Sequence, residues 1–375
     1  MIPSSLSPAQ VAPTTDMLLE SSALGLPVIR ALLTGRNGAT RSVRMVIDTG
    51  ASISVLDSSI PDFFWGGIGK RTKGGTSTSE IVQARRGVVY DLGIGGMHFR
   101  EVQAISVDLS SSLSRSDDAP IDGVIGMNVL RDQRFQMDFS NHLIRWGSEP
   151  PGSAVTTSPI SYDRFGDPLL EVSIGDKKLS VGLDTGSNEF LVVSPEDLRG
   201  VKVLERQMKA GVASGLGDST IIQGSIKLDG GVKLGDRLWS SPDVLQEDTR
   251  KALLGIGAMG PSVWFDFIGD TVTFTLDKDG SLPATPTRHF PIAAYWDRRD
   301  AAPPQLIVLA VKPGSPYENM GIRTGDVLIQ VGDLKGKALT IRSLGDCLNK
   351  GTPLVVVIDR RGNRLELSPH PQTSN

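Results

Sequence analysis

Apolar residues along this chain fall in short runs rich in Val and Ile, with turn signals about every ten residues and few long amphipathic stretches. The pattern predicts a mostly β protein. The run GLPVIRALLTG (25–35) leads to a turn at RNG, then a second strand ends in VIDTGAS (46–52), and ISVLDSS follows. Further on, PLLEVSIG (168–175) leads to a turn at DKK, then a second strand ends in GLDTGSN (182–188), and FLVVSPE follows. The agreement continues downstream, where DGVIG (122–126) is answered by KALLG (251–255) and FQMDFSNHLIRW (135–146) by VWFDFIGDTVTF (263–274). The offsets stay close, 136 between Asp48 and Asp184 and 129 between Gly126 and Gly255. One β unit has been duplicated and fused.

Stretches rich in Pro, Ser, Thr and Gly divide the chain. They predict a tail at 1–22, a first unit at 23–148, a linker at 149–160, a second unit at 161–278, a linker at 279–304, a third unit at 305–368 and a tail at 369–375.

Each duplicated unit contributes one Asp-Thr-Gly loop, so duplication brings two aspartates together. Two carboxylates within hydrogen-bond distance cannot both ionise, share a proton and titrate as a unit. The ionised member can take a proton from water while the protonated one hydrogen-bonds a carbonyl under attack. The neighbours suit this. Thr49 and Thr185 offer hydroxyls to lock the loops, Gly50 and Gly186 permit a tight backbone, and Ser187 can donate to Asp184 where Ala51 cannot donate to Asp48. An asymmetric pair is expected. A given Asp-Thr-Gly arises by chance on the order of 0.1 times in such a chain, so two in register are not an accident.

These residues resemble the aspartic protease clan that includes pepsins and retroviral proteases. DTGAS at 48–52 has the retroviral ending and DTGSN at 184–188 the pepsin ending, while Val124, Ile125, Gly126 and Leu253, Leu254, Gly255 match the clan's apolar-apolar-Gly element. The resemblance implies two homologous β-barrel lobes around a cleft, Asp48 and Asp184 as the catalytic pair, and Gly126 and Gly255 as structural residues behind the active loops. It also implies protein or peptide substrates and no cofactor or metal. Flap candidates are GKRTKGGTSTSE (69–80), with Gly74, Gly75 and Thr76, and KAGVASGLGDS (209–219), with Gly215. The first lacks the tyrosine of pepsin flaps, and Tyr90 lies later, so both loops together are expected to cover the pair. A monomer suffices, because both aspartates are on one chain. A second reading, a bilobal peptide-binding or scaffold protein without activity, is opposed by the intact Asp, Thr and Gly of both motifs.

The third unit, with PGSPYENMGIRTGDVL (313–328) and SLGDCLNKG (343–351), resembles a PDZ domain of the bacterial type. That implies a groove taking an extended peptide as an added strand, or a packing module with the groove closed. YWDRRDAAPPQ (295–305) is not a carboxylate-binding signature.

Composition excludes other classes. The net charge is -3, with 39 Lys and Arg against 42 Asp and Glu and no long basic run, so no nucleic-acid partner is expected. No apolar run approaches the ~18 residues of a membrane span. GIGAMG (255–260) spells a dinucleotide pattern, but Pro261 follows where a helix is required. The four histidines, His98, His142, His289 and His370, are scattered, which argues against a zinc site. The single cysteine, Cys347, allows no intrachain disulfide and is expected buried on a short helix. The N-terminal residues do not read as a signal peptide, and the resemblance favours an extracytoplasmic location, as for many PDZ-bearing bacterial proteases.

Overall fold

The computed structural model describes residues 15–75, 81–110, 112–209, 223–239, 244–247, 249, 251–285, 290–298, 303–350 and 353–369. It is mostly β, in four sheets.

The strand Pro27–Thr34 turns back through Arg36 to Gly38 into Thr40–Ile47, burying Ile29, Ala31 and Leu33 on one side and Met45 and Ile47 on the other strand. Such alternation is what a pleated strand with one face on the core requires. Thr40–Ile47 then pairs in parallel with Gly123–Ile125, which pairs antiparallel with Ser54–Asp57, which pairs in parallel with Met97–Val107. Ile81–Ile94 follows, and its pairing with Pro27–Thr34 closes a six-stranded barrel. Trp65–Gly75 lies outside it on Ile81–Ile94.

The second half repeats this order. Pro168–Ile174 is followed across the sheet by Lys177–Leu183, Leu253–Leu254, Leu191–Val193, Val244–Gln246, Gln223–Leu228 and Val203–Lys209. The parallel and antiparallel senses match pair for pair, parallel between Lys177–Leu183 and Leu253–Leu254, antiparallel to Leu191–Val193, and parallel to Val244–Gln246. Strand order this unusual, with three non-sequential neighbours, is the structural trace of the repeat seen in the sequence.

A third, antiparallel sheet of six strands joins the halves. At its centre Arg134–Asp138 pairs with Ser262–Asp266. Phe135 of one half packs on Phe265 of the other at 5.1 Å between ring centroids, so the join is apolar as well as hydrogen-bonded. Its edge strands lie in segments expected to be tail and linker, Thr15–Leu18 and Val155–Pro159. The composition misled because an edge strand has one unpaired side and tolerates Pro and short polar residues that a central strand would reject.

The fourth sheet has its own core of Ile292, Leu306, Val308, Leu328, Val356 and Ile358, covered by the helices Pro316–Asn319 and Ile341–Leu348. The helix Ile341–Leu348 starts at a capping box between Thr340 and Ser343. This unit starts earlier than expected. Ile292–Asp297, within the predicted 279–304 linker, pairs along its length with Gln305–Val311 and buries Ile292. Cys347 lies on the helix as expected but is only partly buried.

Candidate functional site

Both Asp-Thr-Gly loops follow a strand that ends in the core, and both are held from behind by the same two bonds. The amide of Asp48 donates to the Ile125 carbonyl and that of Asp184 to the Leu254 carbonyl, each at 3.0 Å. Gly126 and Gly255 lie directly under the loops. A Cβ on Gly126 would stand 2.7 Å from the Ala51 carbonyl, and one on Gly255 would collide with the Glu189 and Ser187 carbonyls, so no larger residue fits at either position. The amides of Met127 and Ile256 then donate to the carbonyls of Ala51 and Ser187 at 2.7 and 2.9 Å.

The threonines tie one loop to the other. The Thr49 amide donates to the Thr185 hydroxyl at 3.0 Å, and the Thr185 amide to the Thr49 hydroxyl at 3.1 Å. Each hydroxyl passes its own hydrogen across the join, Thr49 to the Leu183 carbonyl and Thr185 to the Ile47 carbonyl, both at 2.7 Å. Both threonines are fully buried. Four reciprocal bonds in a dry environment fix the loops, because any one left unmade would strand a buried polar group.

This clamp sets Asp48 against Asp184, so that each carboxyl acts electrostatically on the other. The amide of Gly50 donates to Asp48 Oδ1 and that of Gly186 to Asp184 Oδ1, each at 2.8 Å. Each glycine also faces the opposite aspartate. A Cβ on Gly50 would lie 2.5 Å from Asp184 Cγ, and one on Gly186 would lie 2.5 Å from Asp48 Cγ. Absence of a side chain at both positions is therefore what lets the carboxyls meet.

The two are not equivalent. Burial and the charge of Asp184 push Asp48 well above the usual carboxylate range. Burial raises Asp184 too, but the Gly186 amide and the positive charge of Lys251 oppose it. Both carboxyls are thus raised, Asp48 the more strongly. The Ser187 hydroxyl does not reach Asp184, and accepts instead from the Glu189 amide at 3.4 Å. It is drawn there because the loop continues over Gly255.

Of the flap candidates, Gly74 and Gly75 lie in the strand Trp65–Gly75 and pair with Val82 and Ile81, forming the arms of a hairpin. Thr76 and Gly215 lie outside the described residues, as do His289 and His370. The second hairpin has described arms in Val203–Lys209 and Gln223–Leu228.

Four residues around the pair, Ser52, Asp163, Asp167 and Lys251, escaped the sequence reading as a connected group. Ser52 donates to Asp167 Oδ1 at 2.6 Å, and Lys251 Nζ lies 2.9 Å from Asp163 and 3.3 Å from Asp167. Aligning the two repeats would have exposed them, since Asp167 stands where the first unit has Leu26, and Lys251 where it has Asp122. Among the described residues no group of His, Cys, Asp and Glu is arranged to hold a metal ion, and no helix is long and apolar enough to cross a membrane.

Residues 35–129 match the family model of the aspartyl proteases. The matched stretch contains the first Asp-Thr-Gly loop, the first hairpin and the Gly126 element, so it is this part of the chain that is similar to aspartyl proteases. It covers about a quarter of the sequence and ends before the second loop. A search of curated proteins found no match.

Proposed function

We propose that the protein is a single-chain, bilobal aspartic endopeptidase in which Asp48 and Asp184 activate water between them. The observation that carries this reading is the pair of partly buried carboxyls brought face to face over Gly50 and Gly186 by the buried clamp of Thr49 and Thr185. Asp184, ionised, accepts a proton from a water placed between the two groups. Asp48, protonated, donates to the oxygen of the scissile carbonyl, and the water oxygen attacks its carbon. The tetrahedral intermediate collapses when the amide nitrogen takes up a proton from the pair, which returns with one proton shared. Gly50 and Gly186 hold the carboxyls by their amides, so little reorganisation accompanies the charge movement.

An extended substrate suits a site flanked by two β hairpins, because a peptide can add main-chain hydrogen bonds to strand arms. The fourth-sheet unit fits a PDZ-like module that binds a substrate or partner segment. With both aspartates on one chain, the working form is a monomer.

The test is cleavage of a mixed peptide library across pH by the wild type and by Asp48→Asn and Asp184→Asn. Each substitution is expected to lower kcat/KM by at least about a thousandfold, since each removes a group that touches the reacting atoms. Cleavage surviving either change would overturn the assignment. Wild-type protein that binds peptides but cuts none at any pH would make this a binding protein.

A further inference from the structure

The duplicated units differ in charge where they approach the aspartates. In the first, Val46 lies two residues before Asp48, and Asp122 lies two before its strand partner Val124. Asp122 accepts from Arg41 at 3.0 Å and from the Arg44 amide at 2.9 Å. In the second, Gly182 lies two residues before Asp184, and Lys251 lies two before its strand partner Leu253. With no side chain on Gly182, the lysine lies across it. A Cβ there would meet Lys251 Cε at 2.8 Å and Nζ at 3.3 Å. The ammonium is held by Asp163 Oδ2 at 2.9 Å and Asp167 Oδ2 at 3.3 Å, and the Asp167 carboxylate is 11% exposed. Asp167 Oδ1 in turn accepts from Ser52, in the first Asp-Thr-Gly loop, at 2.6 Å. A chain of polar contacts thus runs from one active loop around to the strand beneath the other, with a lysine lying across the residue two before Asp184 where the first unit has Asp122.

We propose that Lys251, seated over Gly182 by Asp163 and Asp167, is the positioning residue that keeps the shared proton on Asp48 and the negative charge on Asp184. This rests on the protease reading for its catalytic meaning, but the proton placement itself is a property of the folded pair. The charged groups acting on Asp184 include Asp48, Lys251 and Asp167, with Asp163 paired to the lysine and the Arg131 guanidinium against Gly166 beside Asp167. Lys251 favours the ionised form of Asp184 and Asp167 disfavours it. Removing one or the other therefore drives Asp184 in opposite directions, which a loss of packing cannot do.

The experiment is a carboxyl carbon NMR titration of the full-length protein labelled at aspartate, with the pair assigned by Asp48→Asn and Asp184→Asn. Asp184 is expected to carry the lower-titrating step. Lys251→Met moves that step up by about one pH unit, Asp167→Asn moves it down by a similar amount, and Lys251→Arg leaves it in place. The acid limb of the kcat/KM profile follows the same three shifts. A step that stays within about 0.3 unit in Lys251→Met, or that moves the same way in Lys251→Met and Asp167→Asn, overturns the proposal. Because the titration needs no turnover, wild type that titrates as expected yet cleaves nothing sinks the protease reading and leaves the proton placement standing. Lys251→Arg and Asp167→Asn keep the question decidable if Lys251→Met melts.

Discussion

Asp48 and Asp138 show how the same side chain acquires opposite responses to acid from its surroundings. Desolvation of the partly buried Asp48 and the charge of the neighbouring Asp184 raise its proton affinity above that of an unfolded chain. A raised carboxyl contributes stability in full below its unfolded value, near pH 4, and loses it as pH rises through the folded value. The folded state therefore suffers as the pair is forced to ionise. Asp48→Asn removes that ionisation, so it should raise Tm relative to the wild type at about pH 8 and change it little at about pH 4. Thermal melting at the two pH values checks this, and an equal loss at both would show that the pair is not under like-charge strain. The prediction also separates stability from activity, since the same substitution is expected to abolish cleavage. Strain held at the pair is thus a cost of function, offset by the threonine clamp beneath it.

At the scale of elements, the six-stranded sheet decides whether the two units behave as one. Asp138, beside the join, accepts from Asn141 through its amide at 3.0 Å and its side chain at 2.9 Å, and from Arg145 at 2.8 Å. Burial alone would raise this carboxyl, but those hydrogen bonds and the arginine charge hold it below its usual value. A lowered carboxyl contributes stability above its unfolded value and loses it as pH falls through the folded one, the reverse of Asp48. Asp138→Asn should cost about 3 kcal/mol at neutral pH, because it leaves the partly buried Arg145 without its closest anion, and less near pH 3. Urea unfolding at both pH values measures the difference, and a uniform cost would place the effect in packing. Much of this organisation was legible in the sequence. The order of strands around each aspartate could be read because the same apolar runs, turns and glycines occur twice at nearly constant spacing. Thr15–Leu18, Val155–Pro159 and Ile292–Asp297 could not, because edge strands carry weak apolar signals that resemble linkers. The bond between Asp167 and Lys251 spans 84 residues, and no local pattern marks it. Ser187 misled for a related reason, since only the path of its loop over Gly255 shows where the hydroxyl points.

For the whole molecule, the decisive contact is between the fourth-sheet unit and the segment that leads into Gly123–Ile125, the strand behind the first Asp-Thr-Gly loop. Asp118 accepts from the Trp296 indole at 3.1 Å and from the amides of Ile341 and Arg342 at 2.6 and 3.1 Å, so one carboxylate bridges the strand Ile292–Asp297 and the first turn of the helix Ile341–Leu348. A carboxylate at free amides of a helix start is favourable on both hydrogen-bonding and dipole grounds. Arg298 donates to the carbonyls of Ser114, Asp117 and Asp118 at 2.7 to 3.0 Å, and Arg342 to those of Ser21 and Ser22. Arg115 lies over the Tyr295 ring at 4.7 Å. Two cores that share no residues are therefore coupled mainly by polar bonds, and Asp118 is the member that touches both elements of the fourth-sheet unit. Asp118→Ala leaves two amides and an indole to find water, at a cost of about 1 to 3 kcal/mol in coupling. Calorimetry of the full chain should then show the fourth-sheet unit melting in a separate, earlier transition, while the main transition keeps its Tm. The aspartate pair should titrate unchanged, because Asp118 makes no bond to either loop. A single transition lowered as a whole would mean that the two cores unfold together for reasons other than this contact, and an unaltered profile would mean that Arg298 and Arg342 suffice to hold them.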